Sequence, residues 1–303
     1  MTWLIFRDAS AGAGRLVAVR DLPLWSPADV EPDKRMTDLL DGDVSLPNRL
    51  GLNAELHDGE FQMQLRPRPE VLRHGAIRAS VLALMIDVVA GVVVDDDPDV
   101  WTFTSDMSVR MRPLAAPGSI FTRTTILRRG NRSATAAVDL VSGQGEPVAT
   151  GAIGFAKVRR RDADPPKPQA SVERVMAMFD GSSMLSQPLR EEAGIRVLDP
   201  MQGAVEMELA PGLRNPAGTL QGAMVALLAE AAAEELAASR FNIPAVVMDL
   251  DLRYLAQTGA GPVRTRCRLL GHGPDSPIQV ELIDTSTDRL TTLVYARAGV
   301  VAH

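Results

Sequence analysis

The sequence predicts an α+β chain in which one plan of hairpin, buried helix and antiparallel sheet is used twice. Three observations predict it: a residue-by-residue repeat, one long apolar helix signal in each half, and runs of strand-forming residues after each helix. The repeat appears as a constant offset. Gly51 pairs with Gly194 (194 − 51 = 143), Asp87 with Glu230 (230 − 87 = 143) and Asp106 with Asp249 (249 − 106 = 143). Arg110 and Arg253, Gly118 and Gly261, Arg123 and Arg266, Leu127 and Leu270, and Gly130 and Gly273 keep the same register. Gly59 and Leu65 answer Gly203 and Leu209 one residue later, as an insertion in one hairpin produces.

Each half opens with a short amphipathic segment, residues 33–40 and 171–179. Two strands follow, at 52–56 and 61–65 around His57-Asp58-Gly59, and at 195–198 and 204–209 around a turn containing Pro200 and Gly203. The apolar runs at about 77–93 and 222–238 are rich in alanine and leucine and predict buried helices. Strand signals then occupy residues 101–111, 120–128, 133–141 and 148–158, and again 246–255, 263–270, 278–283 and 290–300. A sheet must wrap each helix, because nothing else covers its apolar circumference. The predicted organisation is an extension at 1–32, a first lobe at 33–158, a linker at 159–170 with three arginines and three prolines, and a second lobe at 171–303.

At 303 residues, 46 % hydrophobic and 23 % charged, the chain is long enough for two cores. A net charge of −6 provides no basic field to hold nucleic acid. The single cysteine, Cys267, excludes an intrachain disulfide, and no zinc-type spacing of cysteine and histidine occurs. The apolar burst before Arg7 is too short for a secretory signal, and the run 81–94, broken by Asp87, is shorter than the roughly 20 residues that span a bilayer. A cytoplasmic protein with no metal, no bound cofactor and no membrane span is therefore expected.

Asp87 lies within VLALMIDVVAGVVV, where burial disfavours its charged form and raises its pKa. Such an aspartate serves either a reaction or a structural pairing, with a neighbouring loop or an arginine of the other lobe. Its repeat partner, Glu230, stands in different surroundings. Glu230, Glu234 and Glu235 also fit a solvated helix face. The loop LRNPAGTLQG, 213–222, runs into a helix start, where free N–H groups and the macrodipole suit an oxygen anion and Gly222 permits close approach. A purely structural glycine at a helix start reads the same way. Gly222 and Glu230 are eight residues apart, about 12 Å along a helix, so they cannot grip one carbonyl. Any acid acting with the Gly222 amide must come from the other lobe, across a pseudo-twofold axis.

Asn215, Gly218, Gln221, Gly222 and Glu230 resemble the hotdog-fold acyl-CoA thioesterases of the phenylacetate-pathway and hydroxybenzoyl type, here as a fused double hotdog. In that family an Asn or Gln precedes a His-Gly-Gly-like helix start, and an acid follows the glycine by eight residues. The likeness covers the central third of each lobe. Gln221 stands where histidine is common and Ala223 replaces the second glycine; the first lobe has Leu72, Arg78 and Ala79 at the matching positions but keeps an acid, Asp87, with Gly91 one turn later. The resemblance implies hydrolysis of an acyl-CoA thioester, with coenzyme A entering only as part of the substrate or ligand, and a further homodimer. Its first site joins Asp87 to Asn215 and Gly222. A second joins Glu230 to Arg78 and Ala79, as a vestigial or CoA-contacting position, with Gln221, Glu234 and Gly91 as further lining residues.

Two rival readings stand beside this one. A hydratase of the same fold needs a histidine, and His74, before the first helix, is the sole candidate. A double hotdog with eroded motifs can also bind an acyl-CoA or a partner without turnover. Arg110, Arg123, Arg253 and Arg266 suit either CoA phosphates or interstrand salt bridges.

Overall fold

The computed structural model describes residues 45–112, 118–160, 167, 171–215 and 217–301. The extension at 1–32, the first amphipathic segment and most of the linker lie outside the described residues. Strands β1 (Leu52–His57) and β2 (Glu60–Leu65) form the first hairpin. The short strands β3 (Leu72–Arg73) and β4 (Ala76–Ile77) lead into helix α1 (Ala79–Val94). Then come β5 (Val100–Met111), β6 (Ile120–Arg129), β7 (Ser133–Ser142) and β8 (Pro147–Arg159). The second half runs α2 (Val172–Met178), α3 (Leu189–Glu192), β9 (Arg196–Asp199), β10 (Ala204–Met207), α4 (Gly222–Phe241), β11 (Ala245–Tyr254), β12 (Val263–Leu269), β13 (Ile278–Asp284) and β14 (Arg289–Val300). Apart from β3, β4 and α3, which the sequence reading did not anticipate, these elements fall within a few residues of the expected ones.

Burial rather than propensity holds α1 in shape, since six of its residues are β-branched valines, at 81, 88, 89, 92, 93 and 94. The alanine-rich α4 has the better intrinsic propensity and ends on Asn242 in the left-handed region (φ 52°), a usual helix stop.

Twelve strands form one antiparallel sheet in the order β1-β2-β6-β7-β8-β5-β11-β14-β13-β12-β10-β9. Strands of the first half pack on α1, strands of the second half on α4, and the two helices pack on each other. One continuous core joins both halves. The halves meet at β5 and β11, where Ser108 lies opposite Asp251. Because 251 − 108 = 143, these two residues are repeat counterparts, so the pseudo-twofold axis passes between them. A second trace of the repeat is a hydrogen bond made twice: Thr122 Oγ1 accepts the Met63 N–H, and Thr265 Oγ1 accepts the Val205 N–H, each at 2.9 Å.

Candidate active site

The twofold relation sets α1 and α4 antiparallel, so the middle of each helix meets the start of the other. At the first meeting point Asp87 of α1 faces the start of α4. Its Oδ1 accepts from Thr104 Oγ1 at 2.7 Å, and its Oδ2 accepts from Gln221 Nε2 at 3.4 Å. Gln221 also caps α4, its Oε1 accepting from the N–H groups of Ala223 (2.6 Å) and Met224 (3.2 Å). That cap satisfies the next two amides and leaves the Gly222 N–H with no acceptor among the described residues. A Cβ placed on Gly222 would lie 3.6 Å from Asp87 Oδ2 and 3.3 Å from Tyr254 Oη. Tyr254 lies against the same helix start, its hydroxyl donating to the Gly222 carbonyl at 3.0 Å.

Enclosure by protein raises the Asp87 pKa, and the Thr104 hydrogen bond opposes that shift only in part. Burial, and then the nearby Asp87 charge, push the Tyr254 phenol well above its ordinary range, so it stays a neutral donor. The site therefore places a carboxyl whose charged form burial disfavours beside an open amide at the positive end of a twenty-residue helix.

The second meeting point is built from the same positions and is closed. Glu230 is one methylene longer than Asp87 and reaches the start of α1, where Oε1 accepts the Ala79 N–H at 2.7 Å and Oε2 accepts from Ser80 Oγ at 2.5 Å. Its carboxylate occupies the amide that corresponds to the open one at Gly222 (222 − 143 = 79). Arg78, 2 % exposed, sits 3.7 Å from Glu230 Oε2 and donates to Glu234 Oε2 at 3.2 Å, with Arg73 Nε 3.6 Å from the same oxygen. Glu230 and Glu234 are both fully buried, which overturns the solvated-face reading for these two; Glu235 pairs with Arg190 at 2.5 Å.

Burial and the neighbouring Glu234, opposed by Arg78, push Glu230 from 4.5 up to about 7. A carboxyl whose folded pKa is raised binds its proton more tightly when folded, so its stabilising contribution is full below about 4.5 and is lost as pH rises through about 7. Urea midpoints are expected to fall between pH 5 and pH 8, and Glu230→Gln, which keeps an acceptor for the Ala79 N–H, is expected to flatten that slope.

Of the residues singled out from sequence, Asp87, Gln221 and Gly222 come together at one point, and Glu230, Glu234, Arg78 and Ala79 at the other. Asn215 is engaged within its own loop: Oδ1 accepts from the N–H groups of Ala217 and Thr219 and from the Thr219 hydroxyl, at 3.0–3.1 Å. The amide that reaches Asp87 is that of Gln221. Gly91 accepts the Asp95 N–H through its carbonyl and has no side chain or backbone within 4 Å of a Cβ built on it. His74 is exposed in the turn between β3 and β4, at φ 48°. Arg110 pairs with Asp251 at 2.7 Å and Arg266 with Glu281 at 3.6 Å, which favours the salt-bridge reading for both. Arg110 also lines a 430 Å³ cavity, together with Arg112, Arg123, Asp139 and Asp249.

Sequence reading missed Thr104 and Tyr254. A β-bulge between Thr104 and Asp106 shifts the alternation of β5, and bulges re-aim side chains without a fixed residue signature. Tyr254 was legible in principle: it continues the inward alternation of Leu250 and Leu252 at the end of β11, where a tyrosine needs a partner for its hydroxyl.

Residues 20–152 match the family model described as the acyl-CoA thioesterase C-terminal domain. No curated protein matches the chain. Among solved structures it is similar to an acyl-ACP thioesterase from Bacteroides thetaiotaomicron (TM-score 0.54, 11 % identity, covering 82 % of this chain and 98 % of that one). It is similar also to a conserved protein with hot dog fold from Alicyclobacillus acidocaldarius (TM-score 0.53, 12 %, 86 % and 98 %) and to the tesB protein of Mycobacterium avium subs. paratuberculosis (0.54, 10 %, 88 % and 98 %). The fold is thus that of hotdog proteins. Among the described residues no helix is long and apolar enough to cross a membrane.

Proposed function

We propose that the chain is a double hotdog that hydrolyses acyl-CoA thioesters at the pocket between Asp87 and Gly222. The observation that carries this reading is the Gly222 N–H, open at the start of α4 and flanked by the Asp87 carboxylate. The thioester carbonyl oxygen accepts that N–H, and the helix dipole stabilises the negative charge that develops on it. Asp87 then attacks the carbonyl carbon, giving an anhydride that water opens, or takes a proton from water as that water attacks. In either route the carbon–sulfur bond breaks and the thiol leaves with a proton. Gln221 and Thr104 orient the carboxylate; Glu230, bound to Ala79, has no free amide opposite it and takes no part. The match of residues 20–152 and the hotdog neighbours support the reaction class. The carboxylate-and-glycine pairing supports the phenylacetate-pathway or hydroxybenzoyl type of hotdog enzyme.

The test is thiol release from short, long and aromatic acyl-CoAs by the purified protein. Turnover is expected with at least one class. Gly222→Ala, whose methyl would fill the space between Tyr254 and Asp87, is expected to reduce it by about 10²-fold or more. A panel with CoA binding but no thiol release would leave a ligand-binding double hotdog and reject hydrolysis.

A further inference from the structure

The two ends of the twelve-stranded sheet are treated differently. At the β1 end, the Ala54 N–H donates to the Phe179 carbonyl at 2.7 Å, Asn53 pairs with Asp180 and Leu50 with Met184. Phe179 is itself in the core. The cover on this first-half strand thus belongs to the second half of the chain. At the other end all four residues of β9 are exposed, and its outer edge has no partner among the described residues. Val197 is the counterpart of Ala54 (54 + 143 = 197), yet it is 42 % exposed where Ala54 is 5 % exposed; Leu198 and Met201 beside it are 44 % and 45 % exposed. A bare apolar edge of this kind invites pairing with another chain unless something covers it.

The sequence holds a second copy of the segment that covers β1. Arg174, Val175, Met178, Phe179, Asp180 and Gly181 are answered by Arg35, Met36, Leu39, Leu40, Asp41 and Gly42, at an offset of 139 (174 − 35 = 139; 181 − 42 = 139). The difference from 143 is accounted for in the connecting loop, which runs thirteen residues from Gly181 to Gly194 and nine from Gly42 to Gly51. The twofold operation that sets Ser108 opposite Asp251 also sets Arg49 against its own counterpart Glu192, at 2.5 Å (192 − 49 = 143). The same operation carries the segment lying on β1 onto β9.

We propose that residues 33–42, which lie outside the described residues, cover β9, so that each half of the chain lends its leading segment to the other. By the two offsets Leu40 corresponds to Phe179 and Asp41 to Asp180, and the β9 counterparts of the residues those two meet, Ala54 and Asn53, are Val197 and Arg196. The inference does not depend on the proposed reaction.

Disulfide trapping in the full-length chain tests it. Residues facing each other across antiparallel strands have Cα atoms about 4.5–5.5 Å apart, within disulfide reach. Asn53→Cys/Asp180→Cys serves as the reference pair, and Asp41→Cys/Arg196→Cys as the test pair. Mild oxidation is expected to close both within one chain, identified as cross-linked peptides by mass spectrometry. Closure of the reference pair alone would overturn the proposal, and so would a 41–196 cross-link between two chains, which would make a second copy the occupant. Hydrogen exchange reads the same contact without cysteines: Leu39→Asp/Leu40→Asp is expected to speed exchange at the Val197 and Leu198 amides by about tenfold or more, leaving β1 unchanged. Unaltered exchange at β9 would count against the proposal.

Discussion

Asp87→Asn is expected to lower the turnover number for thioester hydrolysis by about 10²–10⁴-fold while leaving acyl-CoA affinity within a few fold, because the amide keeps the shape and loses the base or nucleophile. Thr104 Oγ1 can still donate to the asparagine carbonyl, so the local hydrogen bonding at Oδ1 survives. The same variant is expected to melt no lower than the wild type. Burial raises the Asp87 pKa, which means that the ionised form is disfavoured in the folded state, and a neutral isostere removes that penalty. Single-turnover kinetics, ligand binding and thermal denaturation on one preparation separate the possibilities. A loss of activity accompanied by loss of stability would mark Asp87 as structural. The raised pKa also fixes the sign of the pH profile: a group that acts as its carboxylate loses activity as pH falls, with the acid limb above the ordinary aspartate range.

The second large effect is on stability. Glu230→Ala is expected to destabilise the fold by about 3–5 kcal/mol, because it strips the partner from buried groups rather than removing a balanced pair. The Ala79 N–H and the Ser80 hydroxyl lose their acceptor, and the buried Arg78 keeps Glu234 as its ion-pair partner. Glu230→Gln retains one oxygen for the Ala79 N–H and is expected to cost far less. Urea denaturation at pH 7 compares the two. Equal losses for alanine and glutamine would show that charge, and not the hydrogen bond to the helix start, is what the position supplies.

Most of the architecture was legible because the chain states it twice. A repeat such as Gly51 with Gly194 or Asp106 with Asp249 needs no propensity argument, and the strand runs after each helix lie within about three residues of the observed elements. Helix rise excluded Glu230 as the acid beside Gly222, since eight residues of one helix cannot close on a single atom, and the choice of Asp87 in its place came from the family resemblance. Side-chain roles were less legible. Asn215 and Gln221 carry the same amide, and choosing between them requires knowing that Asn215 Oδ1 is held by its own loop. Thr104 depended on a bulge, which is a property of pairing with β8 rather than of any local run. Glu230 and Glu234 looked like a solvated face because a run of acids on an alanine-rich helix gives no hint that Arg78 and Arg73 arrive from the other half.

The closed state of the Glu230 position has a consequence for how such a chain can change. In a symmetric dimer of single lobes, replacing the glycine at the helix start by alanine, or lengthening the opposing acid by one methylene, would alter both pockets at once. Here the two copies of each position are separate codons. Ala79 with Glu230 ties the helices together at one end, while Gly222 with Asp87 leaves the amide accessible at the other. Carrying both copies in one chain thus allows one repeat position to be spent on rigidity without forfeiting its twin, an allocation that no homodimer obeying strict symmetry can adopt.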